Sequence, residues 1–292
     1  MNKEFNKGLI LTSLGSFWWG FIGVIYFQYV AFIGHIELVV HRCLWTAVML
    51  IITTTFFSKW KIFKKIISNK YYLLGLFASG FLIFINWAVW IYAVATERII
   101  DASFGYFIMP IISVLLGYLF FNEKLNIKRT FSIVLVVISI LILIFFNYKS
   151  LPWVGLIVAL SWAFYNLVRK KIDIDTDVGL LIESLYILPF ALIVFYFIAQ
   201  NGYNDFTFSN PGLSLFLILA GPMTVIPLFL YVRGVELIGL GPTGMVFYIT
   251  PTLQFILGYF YYNEDFSLIK FLSFIIIWIA VIIYLKDLYE KN

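Results

Sequence analysis

Charge is scarce in this sequence: Asp, Glu, Lys and Arg make up 12% of 292 residues while hydrophobic residues make up 63%. A soluble domain of this size carries roughly twice that share of charge, so the chain cannot clothe itself in a polar surface. Cysteine is nearly absent. The single Cys43 excludes an intrachain disulfide and a cysteine-based metal site. Histidine occurs only at His35 and His41, which leaves no His-Glu-x-x-His zinc motif. Neither a Walker A sequence nor a Gly-x-Ser-x-Gly nucleophile elbow is present. Enzyme chemistry has little to work with, and no enzyme activity, metal or other cofactor is expected. The net charge of +5 does not call for nucleic acid, because the basic residues lie in short loops between apolar runs, where membrane topology accounts for them.

What the chain has is long apolar segments. A bilayer-spanning helix needs about 20 mostly apolar residues, and ten such segments are read: Gly8–Val30, Ile36–Phe57, Tyr71–Ala95, Ile100–Phe121, Lys128–Phe146, Pro152–Val168, Val178–Ala199, Gly212–Tyr231, Leu240–Tyr262 and Leu268–Leu285. The first exceeds a signal-peptide core and no small-x-small cleavage site ends it, so it is expected to be retained. Sixteen Lys and Arg fall on one side of the alternating spans, among them Lys59, Lys124, Arg169 and Lys286; Arg98, Lys149 and Lys270 fall on the other. The positive-inside bias then predicts cytoplasmic termini. The basic loop Ser58 to Lys70, with Trp60 and Phe63, reads as a topology signal with interfacial anchors.

The stretch Phe104 to Leu125 recurs 141 residues later as Met245 to Phe266: Ile108, Pro110, Leu116, Gly117, Tyr118, Asn122 and Glu123 match Ile249, Pro251, Leu257, Gly258, Tyr259, Asn263 and Glu264. The sequence therefore predicts two similar halves, residues 1–146 and 147–292. Five spans per half is odd, so the second half enters the membrane inverted. The expected fold is an all-α membrane protein of ten transmembrane helices as two inverted five-helix repeats, a design recurrent in secondary transporters, with a site between the halves.

Prolines inside spans mark candidate helix interruptions: Pro110 and its mate Pro251, and Pro222 with Pro227 in the eighth span. Carbonyls freed at membrane depth are tolerated only beside protein or water, which points to a cavity. Arg42 and Glu183 lie inside the second and seventh spans and are also 141 residues apart. They are candidate charge partners or a proton site; alternatives are Glu264 for Arg42 and Arg169 for Glu183. Glu123 and Glu264 close matched helices and read as structural helix-end carboxylates, and His41 as interfacial. Candidate substrate-binding residues are the buried amides and nearby rings: Trp18, Asn86, Trp90, Tyr106, Trp162, Asn166, Tyr248 and Gln254. Asn86 and Trp90, like Trp162 and Asn166, stand one helical turn apart.

Several runs carry a resemblance: His41-Arg42-Cys43-Leu44-Trp45, Asn86-Trp87, Asp101 through Pro110, Leu151-Pro152-Trp153, Ala220-Gly221-Pro222 with Thr224 and Pro227, Tyr248 through Phe255, and Trp278. Over nearly its whole length the chain resembles a RarD-type member of the EamA branch of the drug/metabolite transporter superfamily. The resemblance implies a bacterial inner-membrane carrier of ten spans, with a cavity built from spans one, three, four, six, eight and nine and with the fifth and tenth peripheral. Relatives in the superfamily export amino acids and other metabolites. Met109 departs from the polar residue that often precedes the proline. The expectation is a secondary transporter, exporter or exchanger, of a small metabolite such as an amino acid or related amphipathic compound. It would work by alternating access, with a homodimer through the fifth and tenth spans as a further possibility. A lipid flippase or scramblase and a non-transporting membrane scaffold are the competing readings.

Overall fold

The computed structural model describes residues 3–95, 99–147, 153–261 and 268–291, and every regular element among them is helical. The helices are α1 (Lys3–Phe17), a π-helical turn (Trp18–Ile22) running into α2 (Gly23–Tyr29), α3 (His35–Phe56), α4 (Trp60–Ile67), α5 (Lys70–Ala95), α6 (Ile99–Phe121), α7 (Ile127–Asn147), α8 (Trp153–Ile172), α9 (Thr176–Gln200), α10 (Pro211–Ile238), α11 (Leu240–Val246), α12 (Ile249–Phe260) and α13 (Leu268–Lys291). Among the described residues, seven helical stretches are long and apolar enough to cross a bilayer: Lys3–Tyr29, His35–Phe56, Lys70–Ala93, Ile127–Phe146, Thr176–Gln200, Pro211–Ile238 and Phe271–Glu290. Gly105–Phe121 is a shorter apolar helix. Two other expected spans differ for local reasons. Helix α8 ends in Arg169, Lys170 and Lys171, and the segment 240–260 is split at Phe247–Tyr248 into α11 and α12.

Helix ends follow local chemistry. Asp175 caps α9 by accepting the Val178 N–H at 3.3 Å, and Asn210 caps α10 by accepting that of Leu213 at 3.2 Å, with Pro211 in the first turn where its missing N–H costs nothing. Helix α6 stops at Asn122, whose φ of 53° lets the Glu123 N–H turn back to the Gly117 carbonyl at 3.1 Å.

Proline placement corrects the expected interruptions. Pro110, Pro222 and Pro227 lie within unbroken helices, where neighbouring helices keep the axis continuous. Only the region of Pro251 is interrupted: it occupies the first turn of α12, after the turn at Phe247–Tyr248. The Phe247 carbonyl that Pro251 cannot serve is taken by the Thr250 N–H at 2.9 Å.

Helix α1 packs on α10, α5 on α8 and α9, α3 on α9 and α10, α6 on α8 and α11, α12 on the π-helical turn, and α7 on α13. One buried cluster runs from Cys43, Ile83 and Met109 to Trp162, Leu181 and Tyr231; a second joins Phe107, Val136, Tyr248, Phe274 and Tyr284. Large apolar side chains stay exposed along the outer faces, such as Phe131, Val134 and Leu141 on α7 and Leu272 and Ile282 on α13.

Polar contacts concentrate at the end of the bundle that holds most of the Lys and Arg. There Lys59 bridges Asp175 and Asp177 at 3.1 and 2.6 Å, and Arg129 meets Asp287 at 2.8 Å. Lys170 Nζ donates to the Val235 carbonyl at 3.1 Å, and Thr176 Oγ1 donates to Glu236 at 2.8 Å. The loop helix α4 lies at this end, with Lys61, Lys64 and Lys65 outward and Ile66 buried against Leu76 and Ile182.

Candidate functional site

In the middle of the bundle is a cavity enclosing about 620 Å³ of empty space, open solvent at its mouth included. Its described wall comes from Trp19, Gly23 and Phe27 on the first helical stretch, Arg42 on α3, and Asn86, Trp87 and Trp90 on α5. Tyr106 and Met109 of α6, Val158 and Trp162 of α8, and Phe247, Thr250 and Gln254 around the α11–α12 break complete it. Both halves contribute. The expected set of helices needs two corrections: α3 supplies Arg42, and α10 supplies none of the described wall, because Tyr231, its ring nearest the centre, is covered by Trp19, Trp162 and Phe247.

An aromatic floor closes the cavity. Trp19 meets Trp162 edge-on at 5.1 Å, Tyr231 packs on Trp162 at 5.3 Å and on Phe247 at 5.4 Å, and Phe247 leans on Tyr106 at 5.7 Å. Such offset and edge contacts are favoured ring geometries. Asn86 is fixed by donating to the Val158 carbonyl at 2.9 Å and to Ser161 Oγ at 3.1 Å, which locks α5 to α8 across the cavity wall.

Arg42 is the one charged residue of the described wall. Its side chain is buried, with 6% exposure, and its guanidinium lies over two rings, 4.7 Å from the Trp87 centroid and 5.0 Å from that of Phe27. No carboxylate among the described residues pairs with it, and its Nε has no hydrogen-bond acceptor. A charge at membrane depth costs at least about 2.5–3.5 kcal/mol unless paired or wet. Two desolvated cation–π contacts offset part of that, of order 2 kcal/mol each. The expected partners are not found: Glu183 is committed elsewhere, and Glu264 lies outside the described residues.

Of the candidate substrate residues, Asn86, Trp90, Tyr106, Trp162 and Gln254 come together on the wall. Three do not. Trp18 is replaced by its neighbour Trp19, because the π-helical turn inserts one residue and rotates everything before it by about 100° relative to an ideal helix. Tyr248 points into the α6–α13 side, donating to the Phe107 carbonyl at 2.8 Å, while Phe247 takes the wall; the helix break sets that phase. Asn166 lies one turn, about 6 Å, beyond Trp162 and behind the aromatic floor, where its amide donates to the Trp162 carbonyl at 2.8 Å. Phe27, Trp87, Met109 and Thr250 were missed. Trp87, Met109 and Thr250 had a signal, standing three residues before Trp90, three after Tyr106 and four before Gln254; Phe27 had none.

Glu183 is held away from the cavity. It pairs with Arg169 Nη1 at 3.5 Å, accepts the Tyr165 hydroxyl at 3.3 Å, and accepts a short hydrogen bond from Ser79. Both charged side chains are at most 2% exposed. Two glycines make room: a Cβ at Gly179 would fall on the Arg169 guanidinium, and one at Gly80 would stand 3.3 Å from the Glu183 backbone. Glu123 takes the N–H groups of Leu240 and Gly241 at 2.7 and 2.9 Å, clasping the start of α11 beside Gly239, whose φ is 91°. Burial pushes the Glu123 carboxyl above its ordinary range, and the two amides work against that. His41 is buried rather than interfacial: it accepts from Trp45 Nε1 at 3.2 Å and lies 3.4 Å from Glu37, which also accepts the Asp205 N–H at 2.7 Å.

The chain matches a family and several relatives. The EamA-like transporter family profile matches residues 6–145 and again residues 150–286. Protein RarD of Escherichia coli is 32% identical over 98% of this chain and 96% of its own length. An uncharacterized transporter, YojE, of Bacillus subtilis is 34% identical over 97% of this chain and 95% of its own. One crystal structure at 11% identity superposes with a TM-score of 0.71, covering 95% of this chain and 96% of that one, which is a likeness of fold alone. With two profile matches spanning the bundle and full-length relatives at this identity, the chain belongs to the EamA-like transporter family, as a member of its RarD type.

Proposed function

We propose that this protein is a secondary transporter of a small metabolite, such as an amino acid or a related amphipathic compound. It would work by alternating access of two inverted five-helix repeats, residues 1–146 and 147–292. The observation that carries the reading is the central cavity, walled by residues of both halves and lined by rings, two side-chain amides and one cation with no anionic partner among the described residues. A scaffold has no use for such a space.

Three further observations support the repeat. The family profile matches twice. The helix packing is self-consistent under the exchange of halves: α5 on α9 is the mate of α10 on α3, and α6 on α8 the mate of α12 on the π-helical turn. The Tyr248 hydroxyl bonds the carbonyl of Phe107, its own counterpart 141 residues away. On this reading there are ten spans: the seven long apolar stretches plus α6, α8 and the broken α11–α12 segment. Both termini are cytoplasmic in a bacterial inner membrane, with the basic end facing the cytoplasm. The polar contacts among Glu123, Lys170, Thr176 and Glu236 would then close the cytoplasmic side and part when the carrier turns inward. The exposed apolar faces of α7 and α13 would meet lipid or a second copy.

The test uses a Cys43→Ala background carrying a single cysteine at Val158, in membrane vesicles of each orientation. A carrier is labelled by an impermeant maleimide from either face of the membrane, to an extent that changes with bound solute. A protein labelled from neither face would not be a carrier.

A further inference from the structure

We infer that the central site is built for an organic anion with an apolar ring, and that Arg42 binds its carboxylate. This deepens the transporter reading and rests on it. Arg42 is buried, forms part of the cavity wall and has no anionic partner among the described residues. Its two neighbours are ring faces, Phe27 and Trp87, which hold the planar guanidinium but offer no hydrogen-bond acceptor. The edge of the guanidinium fork is therefore unspent, and its geometry matches a carboxylate with two parallel N–H···O bonds.

The carboxylates packed on the same helices are taken. Glu183 serves Arg169, Ser79 and Tyr165, and Glu37 serves His41 and the Asp205 N–H. No described residue supplies the counter-ion, which on this inference the solute carries. No Asp or Glu belongs to the described cavity wall, so an ammonium group on the solute would find ring faces, amides and hydroxyls but no carboxylate, and would be repelled by the arginine. The rest of the wall is rings, chiefly Trp19, Trp90, Trp162 and Phe247, suited to a flat apolar body. The class is thus an aryl or similar monocarboxylate, favoured over a zwitterion and strongly over a cation.

A mode of transport follows. A monoanion neutralises Arg42, so the loaded site crosses the occluded state without net charge, whereas the empty site must cross with a bare buried cation. Exchange of one anion for another is then faster than return of the empty carrier.

The experiment compares four probes of one shape on purified protein by titration calorimetry: phenylacetate, phenylacetamide, phenylalanine and phenethylamine. Phenylacetate binds, the neutral amide binds at least about tenfold more weakly, phenylalanine lies between, and phenethylamine does not compete. Arg42→Gln removes the preference of acid over amide, and Arg42→Lys retains part of it. Without ligand, Arg42→Gln melts within a few degrees of the wild type, because the two cation–π contacts it loses are offset by removal of a buried charge. In proteoliposomes, internal phenylacetate accelerates uptake of external phenylacetate at least severalfold. Equal binding of acid and amide, no binding of phenylacetate to folded protein, or an acid preference that survives in Arg42→Gln would each overturn the inference. So would a marked loss of stability in Arg42→Gln, which would make the arginine a structural pin. Cavity labelling at Val158 reads the carrier reading independently, so either idea can fail without the other.

Discussion

Replacing Glu183 by glutamine separates a structural ion pair from a proton relay. Arg169 and Glu183 stand 3.5 Å apart, and both are at most 2% exposed. With an effective dielectric constant near 20, their attraction is of order 5 kcal/mol. Arg169 has one other anchor, the Thr176 carbonyl at 3.0 Å, and its Nε and Nη1 have no hydrogen-bond partner. Glu183→Gln therefore strands a buried cation, at a cost of roughly 3–5 kcal/mol, which for a chain of this size lowers the melting temperature by about 5–8 °C. Removing both charges is different. The double variant Arg169→Met, Glu183→Leu fills similar volume and strands nothing, so it melts within a few degrees of the wild type, as buried pairs replaced by apolar residues commonly do. Thermal unfolding of the wild type, Arg169→Met, Glu183→Leu and the double variant gives the coupling directly. Transport by Glu183→Gln, assayed well below its melting point, keeps its wild-type dependence on a pH gradient. A single variant that melts like the wild type yet loses its response to that gradient would refute the pin and assign Glu183 to proton coupling.

The aromatic wall makes a sharper claim than composition could: Trp19→Ala weakens solute binding at least about tenfold in calorimetry, whereas Trp18→Ala changes it less than twofold. Gly221→Ala places a Cβ 2.5 Å from the Trp45 carbonyl oxygen, forcing α10 from α3, and lowers stability by about 1–3 kcal/mol as overpacking does, read as a fall in melting temperature. Gly212→Ala, where the added methyl meets only the Asn210 side chain at 3.9 Å, is the near-neutral control. Glu123→Ala frees the N–H groups of Leu240 and Gly241 and, the side chain being half-buried, costs about 2 kcal/mol. Hydrogen exchange should rise at the start of α11 rather than across the bundle.

Much of the site was legible as residue type, and two of the three failures share one cause. Asn86, Trp90, Tyr106, Trp162 and Gln254 lie on helices whose local phase is regular, so spacing put them on one face correctly. Trp18 and Tyr248 each missed by a single residue, and each lies next to an irregularity, the π-helical turn at Trp18–Ile22 or the break at Phe247–Tyr248. The π-helical turn is announced by no proline, whereas the break lies one turn before Pro251, and Pro110, Pro222 and Pro227 lie in continuous helices.

Composition and periodicity were enough to place the chain in a membrane, because apolar length is a local property that lipid reads one segment at a time. The 141-residue repeat, with its Asn-Glu endings and matched prolines, was equally a property of the linear chain. Partnership was not. Arg169 was one of two partners the sequence offered Glu183, but which of them holds, that Arg42 has rings on both sides and no anion among the described residues, and that Asn166 is shut behind an aromatic floor depend on helices meeting at particular rotations. Those rotations are set by close packing over Gly80 and Gly179 and by the two helix irregularities, and such contacts exist only once the bundle has assembled.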